Sequence, residues 1–180
     1  MPLTPLHYSI AYLINKLRTE LSLPALVVSS MAPDLESPFI FLLTGNLQRR
    51  LSVLHSLLGA STIGTLLSIL LTVFVYPSLV SPLFRLDRNV VKGRCRFSGK
   101  LVASCFIGCV SHVIMDSLHH DYNPLLYPFL NESFDELILL NNLGYANFIV
   151  FSVFLGLSFL ILIQEMRRGT EGFWKRILVA

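Results

Sequence analysis

The sequence predicts an all-α, polytopic membrane protein with three firm transmembrane helices and a broken or re-entrant N-terminal helical pair. Three observations carry that prediction. Of 180 residues, 53% are hydrophobic and only 14% charged, against roughly 25% charged in an ordinary soluble domain. Long stretches carry no charge at all, Ser56–Phe84 and Leu137–Ile163 among them, and a bilayer is crossed by about 20 apolar residues. The charges that remain are sorted by sign into separate segments. This composition excludes a disordered chain, a collagen-like fibre and an ordinary cytosolic enzyme. Three cysteines, Cys95, Cys105 and Cys109, are too few and too clustered for a disulfide framework.

The elements follow in order. Pro5–Leu21 reads as a short helix: Thr4 can cap it, Pro5 suits its first turn, and Lys16, Arg18 and Glu20 crowd its end. It is too polar for a firm span, and it lacks the basic start and cleavage site of a signal peptide. Ala25–Leu43 is apolar enough to insert, but Pro33, Asp34, Glu36 and Pro38 interrupt it. A broken helix or re-entrant hairpin fits, because irregular backbone survives at membrane depth only under protein cover. Leu57–Tyr76 is long enough to span, and Pro77 marks an exit or kink. Leu101–Leu118 is the second span, with the lone acid Asp116 near its far end. The third is Ala146–Ile163, after the polar Asn141-Asn142 pair. No repeat or low-complexity tract is present. Residues 1–180 form one integral membrane domain, with a C-terminal span over 146–163 and a tail over 164–180.

Charge sets the orientation. Arg85–Lys100 holds Arg85, Arg88, Lys92, Arg94, Arg96 and Lys100 against Asp87, and the tail adds Arg167, Arg168, Lys175 and Arg176. The segment from His119 to Asn147 holds Asp121, Glu132, Asp135 and Glu136 with no Lys or Arg. The positive-inside rule places the basic loop and the C-terminus in the cytoplasm and 119–147 outside, with Arg49 and Arg50 against the trend. The basic loop lacks the interleaved aromatics of a nucleic-acid surface, so no nucleic-acid partner is expected.

Ionisable residues inside membrane segments are expensive and mark function. The five histidines are His7, His55, His112, His119 and His120, each beside an acid or at the end of a candidate span. His112 and Asp116 stand four residues apart, on one helix face with β-carbons about 5–6 Å apart. An imidazole and a carboxylate so placed can both reach one divalent ion. The orientation set by charge puts this pair in the outer half of its helix and His55 at the outer start of the 57–76 span. Two distant segments therefore deliver ligands to one membrane face. The bland alternatives stay open: a hydrogen-bonded His112/Asp116 pair gluing helices, an interfacial His55, an Asp34 that caps a turn, and a solvated His119-His120-Asp121 loop. Cys105 and Cys109 lie one to two turns deeper and read as packing residues. Asn131-Glu-Ser133 fits a glycosylation sequon.

Taken together, Thr4-Pro-Leu-His7, Met31-Ala-Pro-Asp34-Leu, Leu54-His55-Ser56-Leu57-Leu58-Gly59 and His112-Val-Ile-Met-Asp116-Ser117 resemble the motifs of the YdjM-like family of prokaryotic membrane-bound metal-dependent hydrolases. The resemblance covers about residues 1–128, the metal-site region. The ligand order is also similar to the all-helical zinc-dependent phospholipase C and single-strand nuclease superfamily, although no histidine follows His120 to supply that superfamily's second downstream helix motif. The resemblance implies one or two divalent ions, zinc foremost with manganese or iron as substitutes, held by His7, Asp34, His55, His112 and Asp116 at the extracytoplasmic face of a prokaryotic plasma membrane. His119, His120 and Asp121 are expected to complete a second ion's shell or to meet substrate. Asp34 and Glu36 are the expected catalytic pair, with Glu36 a general base or the partner that orients a histidine. The expected partner is membrane lipid and the expected substrate a lipid or lipid-linked phosphoester. The alternative is a non-catalytic membrane protein, a metal carrier or a structural partner whose polar residues bridge helices.

Overall fold

The computed structural model describes residues 4–45, 53–130 and 132–180, and every ordered element in them is helical. Arg49, Arg50 and the sequon residue Asn131 lie outside the described residues.

The N-terminal third is a helical hairpin followed by a break. A 3-10 turn over Thr4–His7 leads into α1, Tyr8–Leu17. Asn15 Nδ2 bonds the carbonyl of Leu21 at 2.9 Å and holds the turn that follows. Ser22 then caps α2, Leu23–Ser29, with Pro24 in its first turn. A second 3-10 turn, Ala32–Leu35, carries Pro33 and Asp34, and α3 runs over Glu36–Thr44. Gly45 ends α3 at φ +68°, its N–H bonding the Phe41 carbonyl. The expected interruption of Ala25–Leu43 is therefore present, centred on Pro33-Asp34.

Three helices are long and apolar enough to cross a membrane: α4, Leu57–Leu83; α6, Gly99–Ser117; and α7, Leu143–Arg167. Ser56 caps α4 by accepting from the Gly59 N–H at 3.0 Å. Of the exit or kink expected at Pro77, the exit is absent, since the helix runs on to Leu83. The wider π turn over Leu71–Val75 opens the ladder just before Pro77, where the ring would otherwise meet a carbonyl four residues back. Between the long helices lie α5, Arg88–Arg94, capped by Asp87, and, after α6, a stretch without α-helix over 118–130 and 132–142 that holds two short 3-10 turns. The chain closes with α8, Phe173–Leu178.

Packing explains how short, polar segments survive beside the spans. The α2 helix lies against α6 so closely that a β-carbon on Gly108 would stand 1.8 Å from Ser29 Oγ. Both run the same way: Ser22 N donates to Ser104 Oγ at one end and His112 meets Ser30 at the other. The α1 helix packs on α2 through Ala11, Tyr12, Leu23, Leu26 and Val27, joined by Ile161 of α7. On the opposite side α4 meets α6 through Ala60, Cys109 and Val113. Cys105 and Cys109 are fully buried, and Cys109 Sγ lies 3.3 Å from Ser68 Oγ, in helix contacts as the packing reading expects. Outward faces of α4 and α7 stay apolar, with Phe74 69% and Phe148 70% exposed.

The tail over 164–180 folds back onto the bundle. Glu165 is completely buried and accepts from Tyr12 of α1, from Arg168, and from Arg176 of α8, with Lys16 Nζ at 3.8 Å. Tyr8 and Tyr76 donate to the carbonyls of Ile177 and Leu178. These contacts bring the α1–α2 turn, the 85–100 segment and the tail to one end of the bundle. Every Lys and Arg among the described residues is there, and every His is toward the other end.

Candidate metal centre

Four separate stretches of chain meet at Asp116: the turn before α1, the break between α2 and α3, the start of α4, and the last turns of α6. All five histidines of the sequence point a ring nitrogen at its carboxylate. Oδ1 faces His7 Nε2 at 3.5 Å and His119 Nε2 at 3.9 Å. Oδ2 faces His112 Nε2 at 3.2 Å, His120 Nε2 at 3.6 Å and His55 Nε2 at 3.9 Å. Asp34 joins from the opposite side, its Oδ1 lying 3.6 Å from His112 Nε2 and 3.7 Å from His55 Nε2. The His7 and His112 rings lie tilted against each other at 32° with centroids 4.3 Å apart, and Phe154 of α7 meets His7 edge-on.

The backbone decides which nitrogens face inward. His112 Nδ1 donates to the Ser30 carbonyl at 2.8 Å and His119 Nδ1 to the Met115 carbonyl at 3.0 Å. A carbonyl only accepts, so both rings carry their proton on Nδ1 and turn the Nε2 lone pair toward Asp116. Those two Nε2 atoms and Asp116 Oδ1 are buried with no hydrogen-bond partner among the described residues. Buried polar atoms are rarely left so. Cations bound on either side of Asp116 would satisfy all three.

His55 is oriented by a carboxylate. Its Nδ1 bonds Glu36 Oε2 at 3.1 Å, while the Val53 and Leu54 N–H groups donate to the two Glu36 oxygens. Burial works against charge on His55, yet bonding to Asp34 and Glu36 carries its pKa up to about 9. A carboxylate behind a histidine whose other nitrogen faces inward is the arrangement that fixes a metal ligand's tautomer. It also leaves Glu36 engaged on both oxygens.

The charge balance favours a cation. Asp34, Glu36 and Asp116 are inward-facing, and no Lys or Arg among the described residues lies at this end. Buried carboxylates need compensating charge. Two overlapping sets have ligand atoms within 4.8 Å of one another: Asp34, His55, His112 and Asp116, and then Asp116, His119 and His120. Imidazole and carboxylate donors suit zinc, manganese or iron. Asp121 is exposed beside His120 and stands outside both sets. Among the described residues the His55 and Asp34 side chains are 22% and 11% exposed and that of His120 9%, while those of His112 and His119 are fully covered.

Several supporting groups escaped the sequence reading. The Ser30 and Met115 carbonyls act through the backbone and leave no residue-type signal. Asn123 Nδ2 bonds the His120 and Ser117 carbonyls and pins the turn that presents His119 and His120. A family model described as a domain of unknown function (DUF4184) matches residues 1–177, and so includes the last long helix and the Glu165 contacts as well as the cluster. No curated protein and no solved structure matches the chain.

Proposed function

We propose, for a chain that belongs to the DUF4184 family, that it is a membrane-embedded metal-dependent hydrolase holding one or two divalent ions around Asp116. The observation that carries this reading is the convergence of every histidine on that single carboxylate, with inward-facing atoms left unpaired. Asp34, His55, His112 and Asp116 would hold one ion; Asp116, His119 and His120 suit a second, with His7 beside Asp116 Oδ1. The order of motifs that resembles the YdjM-like hydrolases supports the same conclusion.

When bound, such an ion lowers the pKa of water toward ~7 and stabilises charge on a phosphoryl or carbonyl oxygen. The chain supplies the rest. Ser30 and Met115 hold the histidine tautomers, and Glu36 orients His55, a better use of its engaged oxygens than general-base work. Phe154 and the α6 packing exclude water from the covered side. Asp34, partly exposed, is placed to accept a proton or a hydrogen bond from an arriving substrate. The positive-inside rule puts this end on the extracytoplasmic side. A site at the end of membrane-spanning helices suits a lipid or lipid-linked phosphoester that arrives without leaving the bilayer.

A second reading has its own support. The four ligands Asp34, His55, His112 and Asp116 would close a tetrahedral zinc site, as in a structural centre or a metal carrier, whereas catalysis needs an open position. Elemental analysis of the detergent-purified protein beside an Asp34→Ala/His112→Ala variant separates the outcomes. One or two ions per chain, lost in a variant that stays monodisperse, support the metal centre. Phosphodiester turnover that follows metal content then supports the hydrolase, and metal without turnover supports the closed site. No stoichiometric metal after refeeding sinks both.

A further inference from the structure

We propose that the basic end of the bundle, formed by α5, the turn into α6 and α8, is a binding surface for acidic phospholipid head groups. The surface is built, not a set of loose loops. Val91 of α5 and Cys95, which closes it, are buried with Tyr76, Val80 and Val179, and Tyr76 bonds the Leu178 carbonyl at 2.8 Å, so α5 and α8 are fixed side by side. That packing turns Arg88, Lys92, Arg94 and Arg96 outward, all exposed, and none of them has an acidic partner among the described residues. Of the exposed acids at this end, Asp87 is occupied in capping α5 and Glu20 pairs with Arg18, which leaves Glu171 of the tail. Arg168 and Arg176 are already committed to Glu165, and Arg88, Lys92, Arg94 and Arg96 are in no ion pair among the described residues.

Apolar side chains stand among these cations. Leu83 is 75% exposed, Phe97 66% and Trp174 46%, the last stacked on Phe84 with centroids 4.6 Å apart. Water alone favours the cations and penalises the apolar groups. The head-group layer accommodates both: aromatic rings settle at its depth, and Lys and Arg reach phosphate oxygens, each contributing about 1 kcal/mol of attraction to an acidic leaflet. The position agrees, because the surface lies where α4 ends, α6 begins and α7 ends. Single-stranded nucleic acid stacks successive bases on a row of aromatic rings, and here Phe84 and Phe173 pack against Trp174, with Phe97 left as a lone exposed ring among the cations.

Trp174 is the only tryptophan in the sequence, so it reports on its own surroundings. The full-length protein is placed in phosphatidylcholine nanodiscs doped with brominated phosphatidylglycerol or, at equal mole fraction, brominated phosphatidylcholine. The expected result is stronger quenching of Trp174 by the acidic lipid. An Arg88→Gln/Lys92→Gln/Arg96→Gln variant should lose that preference, by roughly fivefold per charge removed. These side chains are exposed and lie outside the Glu165 contacts, so monodisperse elution with unchanged metal content is expected of the variant. Equal quenching by the two lipids, no quenching by either, or a preference unchanged in the variant overturns the proposal. Displacement of the acidic lipid by a single-stranded oligonucleotide also overturns it and assigns the face to nucleic acid.

Discussion

His112 Nδ1 donates to the carbonyl of Ser30 at 2.8 Å, and this one bond fixes which nitrogen of a fully covered imidazole faces Asp116. Ser30 closes α2 and His112 sits in the last third of α6, so the spacing of two helices sets the tautomer of a candidate ligand. The spacing itself is set by Gly108, where any β-carbon would meet Ser29 Oγ at 1.8 Å. Gly108→Ala is therefore expected to destabilise the bundle by about 1–3 kcal/mol and to weaken metal binding together with stability. Adding Ser29→Gly removes the obstructing side chain and should recover part of both. Thermal unfolding and metal titration of the two variants in detergent check this; equal losses in the single and double variants would count against it.

Asp116 separates a metal centre from polar helix glue. Asp116→Asn keeps the shape and one acceptor oxygen but removes the charge that five imidazoles face. On the metal reading the variant stays folded and loses nearly all bound ion, because both sets of ligands share this residue. Elemental analysis after size exclusion measures it. Retained stoichiometric metal would refute the assignment of Asp116.

Glu36 predicts a smaller effect of a different kind. It touches His55 Nδ1 and two backbone N–H groups, so Glu36→Gln leaves the ligand set intact and weakens only its orientation. Loss of such a partner typically costs about 10–100-fold in affinity. Competition with a chromophoric chelator should show weaker binding at unchanged stoichiometry. Glu36→Asp, with the carboxylate kept but drawn back, should fall between.

Protons compete with the ion at His55. Its pKa is raised to about 9 in the folded protein without metal, above the ordinary value near 6.5. The sign follows from linkage: protonated His55 contributes stability that is fully present below pH 6.5 and is lost as pH rises through about 9. A ligand must be neutral, so metal affinity should rise with pH over the same window. At pH 7 metal uptake should release a proton, visible as a binding enthalpy that changes with the ionisation enthalpy of the buffer. Buffer-independent heat would contradict the role given to His55.

Much of the architecture is written locally and can be read without coordinates. Two of the three spans are uncharged runs of sufficient length and the other carries Asp116 alone, and the Pro33-Asp34 break is punctuation that no continuous helix tolerates. His112 and Asp116 share a helix face by spacing alone. Other features depend on distant partners. Pro77 stays inside α4 because of a wide turn that no residue type announces. Whether His119 and His120 are loop or ligand depends on Asn123 pinning their turn. Glu165 reads as one acid in a basic tail until α8 folds back and Tyr12 arrives from the first helix.

Glu165 makes the last prediction, and it joins the two ends of the molecule. Its side chain is fully buried and meets Tyr12, Arg168, Arg176 and Lys16. Tyr8, one turn before Tyr12 and next to His7, bonds the Ile177 carbonyl. The same face of α1 thus carries the tail at one end and leads to His7 at the other. Breaking a wholly buried ion pair costs about 3–5 kcal/mol. The side chains of Arg168, Lys16 and Arg176, however, are 48%, 40% and 28% exposed and can turn to water, so the loss here is that of the charged hydrogen bonds to Glu165, about 1.5–3 kcal/mol. Glu165→Ala should therefore lower the unfolding temperature sharply and expose 168–180 to protease. Tyr12→Phe removes one hydrogen bond and no charge, and should cost about 1 kcal/mol. Limited proteolysis followed by mass spectrometry locates the cuts. A Glu165→Ala protein with a protected tail would show that apolar burial of Ile177 and Val179 alone holds α8 in place.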